Sequence, residues 1–190
     1  MELLIASNNK HKIEEIKSVL ENKFDCITTL SDEGIVCDPD ETGETFYDNA
    51  LIKAQVVAKF TTKAVLADDT GLCVNALGGL PGVHSARYAS DHDSAANRHK
   101  VLDELTGQSD RSAYFKSVVV LLYPDGKIVS GEGRVDGYII DHELGVNGFG
   151  YDCIFYSTEL NKTFAEATTA EKLTVSHRSR SLQDLLAKIQ

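Results

Sequence analysis

Hydrophobic and polar positions follow two different periods along the chain, and their alternation predicts strands and helices in turn. Short, nearly continuous apolar runs are typical of buried strands, whereas apolar residues three and four positions apart predict amphipathic helices. The predicted strand segments are 3–6, 24–30, a run from 64 that ends at 69, and 72–77. The predicted helices are one carrying Ile13, Ile16, Val19 and Leu20, one carrying Phe46, Ala50, Ala54, Val57 and Ala58, the segment 94–105, and a last one carrying Leu182, Leu185, Leu186 and Ile189.

Turn residues separate these elements. The dipeptide Asp125-Gly126 predicts a β-hairpin of residues 114–123 and 127–135. Thr45 and Asp48 predict a capping box at the start of the second helix. Three segments are predicted as loops: an acidic one at 31–43 and glycine-rich ones at 78–82 and 145–150. Because β and α segments alternate first and antiparallel strands follow, the pattern predicts an α/β fold with a mixed sheet.

Composition narrows the class of protein. The 190 residues suffice for one domain or for two small lobes that share a core. No apolar run approaches the roughly 20 residues of a membrane helix, and the first six residues are too short and lack the basic flank of a signal peptide. The net charge of −10 argues against binding a nucleic acid polymer. The four cysteines show no metal-site spacing, which predicts buried or partly buried reduced thiols and a cytoplasmic protein.

The most informative polar motif is Asp68-Asp69, which follows the apolar run 64–66 and precedes Thr70-Gly71. We predict a strand that ends in two carboxylates and a glycine turn, where side chains are easily presented to a ligand. Adjacent carboxylates repel, so the pKa of one or both is expected to be perturbed unless a cation or a proton intervenes. The alternative is a solvated turn at the end of a strand.

Two further segments suit phosphate chemistry. The turn between the first strand and the first helix is small, polar and basic, and a helix N-terminus there favours a phosphate; its residues are Ser7, Asn8, Asn9, Lys10, His11 and Lys12. Glu41 could join Asp68 or Asp69 around Mg²⁺, and Lys53 could reach a phosphate. The alternatives are an ordinary N-capped turn, an acidic surface loop, and a lysine that extends along the apolar face to solvent.

Two segments near the C-terminus suit recognition of a base. Phe149 lies between two glycines, followed by Tyr151 and Asp152, so its ring could serve as a stacking platform and the carboxylate as a hydrogen-bond acceptor. Lys172 with Ser176-His177-Arg178 opens the C-terminal helix, where cations oppose the helix dipole and therefore indicate a ligand. The alternatives are a β-bulge with a core phenylalanine and a surface cap.

Taken together, these motifs resemble the inosine triphosphate pyrophosphatase family, also called dITP/XTP pyrophosphatases. The resemblance runs in order through nearly the whole chain and includes Asn49-Ala50, Lys53-Ala54, Leu77-Gly78-Gly79, Pro81-Gly82 and Ser85-Ala86-Arg87-Tyr88. It implies an elongated α/β fold, a mixed sheet flanked by helices, with two lobes and a central cleft in one domain spanning 1–190. It also implies a homodimer that uses Mg²⁺ to hydrolyse ITP, dITP and XTP to the monophosphate and pyrophosphate, clearing deaminated purines from the nucleotide pool.

The resemblance also implies roles for individual residues. Asp69 is the expected general base, and Glu41, Asp68 and Asp69 the expected metal ligands. The substrate-binding residues are Ser7, Asn8, Asn9, Lys10, His11, Lys12, Lys53 and Thr70 toward the phosphates, and Phe149, Gly150, Tyr151, Asp152, Lys172, His177 and Arg178 toward the base. Arg178 or a backbone N–H is expected to donate to the 6-oxo group. The chain departs from the family's usual residues with Asn8 for Gly, Thr70 for Ser and Cys153 for Pro.

Two other functions remain open on the sequence. One is a nucleotide-binding regulatory module without turnover, and the other is a pyrophosphatase for another modified nucleotide. The acids favour an enzyme over a binding module, because bare carboxylates near phosphates weaken binding.

Overall fold

The computed structural model describes residues 1–189 and contains seven strands and five α-helices. The strands are β1 (Glu2–Ile5), β2 (Cys26–Thr29), β3 (Ala64–Val74), β4 (Ser112–Leu122), β5 (Ile128–Ile139), β6 (Phe155–Ser157) and β7 (Lys162–Thr163). The helices are α1 (Lys10–Leu20), α2 (Phe46–Val57), α3 (Ser94–Glu104), α4 (Thr169–Val175) and α5 (His177–Ile189), with 3₁₀ turns at Ala58–Phe60, Asn75–Leu77 and Gly82–Arg87. Within residues 1–189, every helix is too short or too polar to cross a membrane.

The strands form one mixed sheet in the order β2-β1-β3-β4-β5-β6-β7. β1 pairs in parallel with β2 and with β3. β6 pairs antiparallel with β5 and with β7. The predicted α/β class with a mixed sheet and flanking helices is confirmed.

The chain divides into two compact units. Unit 1 comprises Met1–Asp69, Ser117–Gly133 and the chain from Arg178 onward, and unit 2 comprises Thr70–Lys116 and Arg134–His177. The four boundaries fall inside β3, β4, β5 and the first turn of α5 rather than in linkers. The single-domain assignment over 1–190 stays a prediction.

In unit 1, the central strands are buried on both faces. Leu3 and Ile5 of β1 pack in one apolar cluster with residues of α1 and α5. Leu4, between them, packs in a second cluster with Ala50 and Ala54 of α2. Since successive side chains of a strand point to opposite faces, this alternation puts α1 and α5 on one face and α2 on the other.

Two features of β3 differ from the sequence prediction. The strand does not end at Asp69 but continues to Val74, so Asp68, Asp69 and Gly71 are strand residues. Gly71 serves close packing rather than a turn, because a Cβ there would collide with the Gly82 carbonyl oxygen and the Ser85 hydroxyl. A glycine after two acids predicts a turn by composition alone, and the tertiary contact overrides that signal.

Other boundaries also shift. The predicted C-terminal helix is two helices, because Ser176 is extended at the C-cap of α4 and α5 begins after it; Lys172 therefore belongs to α4. β2 is shorter than the predicted 24–30, and the short strands β6 and β7 were not predicted. All four cysteines are unbridged thiols, but Cys26 is exposed, which corrects the prediction of burial at that position.

Candidate functional site

The two adjacent carboxylates Asp68 and Asp69 lie on opposite faces of β3. Ala64 and Leu66 of this strand belong to the cluster with α1 and α5, and Val65 and Ala67 to the cluster with α2. Continued with a period of two, the pattern directs Asp68 toward α1 and α5 and Asp69 toward α2. The two carboxylates therefore have different direct partners, although the charges of Lys12 and Lys53 act on both.

Asp68 is buried among cations. Its Oδ2 lies 3.0 Å from the Lys12 ammonium of α1 and 3.5 Å from Nε of Arg178, the second residue of α5. Arg178 is fully buried and also pairs with the buried carboxylate of Glu15 on α1. Burial opposes ionisation of Asp68, but Lys12, Arg178 and Lys53 outweigh it and hold the pKa of this carboxyl well below its usual range. Asp68 is thus a fixed negative charge.

Asp69 lies in a less cationic environment. Its Oδ2 accepts a hydrogen bond from Asn49 Nδ2 at 3.2 Å, and its Oδ1 lies 3.3 Å from the Lys53 ammonium. Lys53 is shared, since its ammonium also lies 2.9 Å from Glu41 Oε1. Burial raises the pKa of Asp69 above its ordinary value, although Lys53 and Lys12 act in the opposite direction. Two neighbouring acids whose pKa values shift in opposite directions are typical of active sites in which one acid transfers a proton and the other stays ionised.

Asn49 connects two of the predicted motifs. It is fully buried on α2, and its Oδ1 accepts a hydrogen bond from the Gly43 N–H at 2.7 Å while its amide donates to Asp69. Gly43 has no room for a side chain, since a Cβ would lie 2.7 Å from Asn49 Oδ1. The loop that carries Glu41 is therefore fixed relative to Asp69.

The basic turn at the start of α1 has the geometry of a helix N-terminus. Asn9 is the N-cap, and its side chain accepts a hydrogen bond from the Lys12 N–H at 3.2 Å. The Ser7 hydroxyl accepts one from the Asn9 N–H, and the Asn8 amide donates to the Cys37 carbonyl at 3.0 Å. Asn8 does not have a positive φ, so the backbone conformation of the turn does not require the glycine usual in the family. Lys10 and His11 are exposed in the first helical turn.

The acids are suited to a hard cation, although their present partners are lysines. Glu41, Asp68 and Asp69 offer only carboxylate oxygens, which Mg²⁺ prefers. Across residues 1–189, no group of three or more acidic, histidine or cysteine side chains is arranged to hold a metal ion. Lys12 and Lys53 instead contact the carboxylates at 3.0 and 3.3 Å. The chemistry of the donor set fits Mg²⁺, whereas metal coordination requires the ammonium groups to give way.

In unit 2, Asp152 organises the predicted base-recognition loop. Its buried Oδ2 accepts hydrogen bonds from the Phe149 N–H at 2.9 Å and from the Lys172 ammonium at 2.7 Å. The Lys172 ammonium also lies 4.9 Å from the centre of the Phe149 ring, within cation–π range. Gly148 is required here, because its φ is +75° and a Cβ would collide with the Asp152 carboxylate. Phe149, Asp152 and Lys172 thus form one assembly.

The remaining predicted residues of unit 2 have contacts within the protein. Tyr151 is buried and its hydroxyl donates to the Ser85 carbonyl at 2.7 Å. His177 is buried and its ring stacks on Phe115 with centroids 4.8 Å apart. Thr70 is half-buried in β3. None of these contacts tests a role in binding substrate, which stays a prediction for each residue.

Two residues of unit 1 join the site without having been predicted in it. Glu15 pairs with Arg178, and Asn49 binds Asp69. A sequence signal exists for Glu15, because it lies three residues after Lys12 and so shares its helix face. Asn49 lies on the apolar side of α2, one residue before Ala50, where a buried amide needs a polar partner.

Comparison with known proteins identifies the family of this chain. The dITP/XTP pyrophosphatase of Leuconostoc mesenteroides is 47% identical, with 100% of this chain and 96% of that protein covered. The dITP/XTP pyrophosphatase of Bacillus subtilis is 43% identical, with 97% and 94% covered. The solved structure of the Staphylococcus aureus Ham1 protein has a TM-score of 0.88 at 40% identity, covering 100% of this chain and 98% of that one. The model of the Ham1 family matches residues 3–188, and the chain belongs to the Ham1 family.

Proposed function

We propose that this chain hydrolyses dITP, XTP and ITP to the monophosphate and pyrophosphate and so clears deaminated purines from the nucleotide pool. The observation that carries the proposal is the pair Asp68 and Asp69, whose pKa values shift in opposite directions beside two lysines. The names of the relatives from Leuconostoc mesenteroides and Bacillus subtilis support the choice of substrates.

The triphosphate binds at the start of α1 and beside Lys12 and Lys53. The N-terminal amides of α1 and the two ammonium groups attract negative charge. In the absence of substrate, these lysines neutralise Asp68, Asp69 and Glu41. On binding, the ammonium groups move from carboxylate to phosphate oxygens, which releases the acids for their catalytic roles.

Mg²⁺ is the expected cofactor. The cluster of unit 1 holds four carboxylates (Glu15, Glu41, Asp68 and Asp69) against the three cations Lys12, Lys53 and Arg178, so it has no surplus positive charge for a triphosphate. Glu41, Asp68 and Asp69 would hold the metal ion. When bound, Mg²⁺ neutralises phosphate oxygens and favours attack at phosphorus.

Asp69 acts as the general base. Its position on β3 is fixed by Asn49, which donates a hydrogen bond to Oδ2 and leaves the other carboxylate oxygen to a water once Lys53 has moved. It accepts a proton from the water that attacks the α-phosphorus, and pyrophosphate leaves.

The base is recognised by the assembly of Phe149, Asp152 and Lys172. The Phe149 ring stacks on the purine, and backbone N–H groups near it donate to the 6-oxo group. An adenine amino group would leave such a donor unpaired, so ATP should be a poor substrate. We assign Arg178 to positioning Asp68, because its guanidinium contacts the carboxylates of Asp68 and Glu15. The proposal also includes the compartment and the oligomeric state: unbridged cysteines suit the reducing cytoplasm, and the resemblance to the pyrophosphatase family implies a homodimer.

The deciding experiment measures pyrophosphate release from dITP, XTP, ITP, ATP and a modified pyrimidine triphosphate, with Mg²⁺ and with EDTA. We expect rapid release from the first three, slow release from ATP, and loss of activity in EDTA that added Mg²⁺ restores. Orthophosphate as the sole product would contradict attack at the α-phosphorus. Tight binding without turnover would favour the regulatory module, and preference for the pyrimidine would favour the other pyrophosphatase.

A further inference from the structure

The loop that carries Phe149 has little regular structure of its own. Gly148 and Gly150 have φ values of +75° and +61°, and residues 141–148 are exposed. Backbone hydrogen bonds close the loop at Leu144 N–H to the Cys153 carbonyl and at Asp152 N–H to the Phe149 carbonyl. A stacking platform must be rigid to contribute binding energy, since ordering it on binding would cost conformational entropy.

Arg98 of α3 contacts this loop at two points. Its Nε donates to Glu143 Oε1 at 2.7 Å, and its Nη1 donates to the Gly150 carbonyl at 2.9 Å. The Arg98 side chain is only 16% exposed. A guanidinium has a fixed planar fork, so two bonds from one group hold Glu143 and Gly150 at a set separation.

The helix that presents Arg98 is itself firmly anchored. The neighbouring Asn97 is buried, and its side chain accepts from the N–H groups of Ala89 and Ser90 and donates to the Ala86 carbonyl. Val101, one turn later, lies in the apolar core of unit 2. Arg98 therefore connects an exposed loop to an anchored helix.

We propose that Arg98 is a positioning residue that strengthens base binding by holding the Phe149 loop in its binding conformation; this rests on the proposed function. Arg98 contacts the Gly150 carbonyl next to Phe149 and does not need to touch the nucleotide. α3 contains none of the site residues predicted from the sequence, and its role here is to present Arg98 to the loop.

The kinetic test compares Arg98→Ala with Arg134→Ala. Arg134 is an exposed arginine of the same unit that pairs with Asp136, so its removal controls for the loss of one positive charge. We expect Arg98→Ala to raise KM for dITP roughly tenfold, in keeping with loss of a charged hydrogen bond, while kcat changes little. The inhibition constant of pyrophosphate, which lacks a base, should stay unchanged. Arg98→Lys, which keeps the charge but loses the planar fork of the guanidinium, should give an intermediate KM.

A second measurement does not depend on activity. Hydrogen exchange of the Leu144 and Asp152 amides should become faster in Arg98→Ala and stay at the parent rate in Arg134→Ala. Unchanged exchange, or an equal rise in KM and in the pyrophosphate inhibition constant, would overturn the proposal. If Arg98→Ala fails to fold, Arg98→Lys and Glu143→Gln are compared by the same two measurements, with the same criteria. If the parent protein hydrolyses no triphosphate, the proposed function fails, whereas the exchange data still decide whether Arg98 holds the loop.

Discussion

Asp68 and Asp69 differ by one position in the sequence and by the face of β3 on which they lie, and this difference predicts distinct mutant phenotypes. Asp69→Asn keeps the shape but removes the charge of the base, so kcat should fall about 10²–10⁴-fold while nucleotide affinity and Tm change little. Lys53 retains Glu41 as a partner in this variant. The measurements are the single-turnover rate with dITP, calorimetric binding and Tm.

Asp68→Asn is the matched control for that prediction. It removes a buried charge that Lys12 and Arg178 contact, so it should lower Tm as well as activity, with a cost on the order of 3–5 kcal/mol for breaking a buried ion pair. A near-normal rate in Asp69→Asn would move the base to Asp68 or Glu41. Equal loss of Tm in both variants would contradict the separation of roles.

Arg178 gives a second prediction at this scale. If it positions Asp68, Arg178→Ala should lower kcat/KM for ITP and ATP by the same factor, because Asp68 acts on the phosphate end that both nucleotides share. Arg178→Lys, which keeps a positive charge beside Asp68 and Glu15, should recover part of the rate and of Tm. A tenfold or larger fall in the ratio of kcat/KM for ITP over ATP would instead show that Arg178 reads the purine, as the resemblance alone suggested.

Side-chain chemistry in the sequence predicted much of the unit 1 cluster. Asp68, Asp69 and Lys12 occur near predicted strand or helix ends, Glu41 lies in the loop before α2, and Lys53 lies within α2 beside its apolar face. The partner of each residue could not be predicted. Treating the two aspartates as neighbours at a strand end implied mutual repulsion, whereas a continuous strand directs them to opposite faces. The pairing depends on where β3 ends, and a glycine that packs closely cannot be distinguished from a turn glycine without its neighbours.

At the scale of elements, long periodic segments were predicted well and short ones were not. The bounds of α2 and its capping box agree with the pattern, because both local signals act in the same direction. β6 and β7 have only three and two residues, too few for a period to be visible. The break between α4 and α5 has no sequence signal, because the backbone becomes extended at Ser176 and neither a proline nor a glycine marks this position.

The capping box of α4 carries a prediction on pH. The Thr168 backbone N–H, Lys162 and the Thr168 hydroxyl lower the pKa of Glu171 from its ordinary value of 4.5 to about 2. Because the folded-state pKa lies below the unfolded one, this stabilisation is present above pH 4.5 and is lost as the pH falls toward 2. The Tm difference between the parent and Glu171→Gln should therefore be constant from pH 7 to 5 and shrink below that.

The control is Lys162→Met, which removes one of the groups that lower the pKa of Glu171. In that background, the pH-dependent part of the Glu171→Gln effect should be smaller. A Tm difference that does not change between pH 5 and 3 would show that the charge of Glu171 contributes nothing to the cap.

At the scale of the whole molecule, the chain passes between unit 1 and unit 2 within continuous strands, and this predicts cooperative unfolding. Unfolding one unit alone would require β3, β4 and β5 each to lose order partway along their length. We expect a single calorimetric transition, with equal calorimetric and van't Hoff enthalpies. The single-domain assignment from the sequence depends on this result.

Two core variants make the test of cooperativity specific. Leu4→Ala creates a cavity in the core of unit 1, and Phe164→Ala creates one in the core of unit 2. Each substitution should lower the free energy of unfolding by about 2–5 kcal/mol. In a cooperative molecule, either change lowers the Tm of the whole transition, by about 4–20 °C for a chain of this size. If each variant instead gives two calorimetric transitions and lowers the Tm of only one of them, the units fold independently and the chain has two domains.

A bound nucleotide provides a further test of cooperativity. Addition of dITP with Ca²⁺ in place of Mg²⁺, which is chosen to slow turnover, should raise the Tm of the single transition in the parent protein. A ligand that binds only the folded state stabilises every part of the molecule that unfolds together with its binding site.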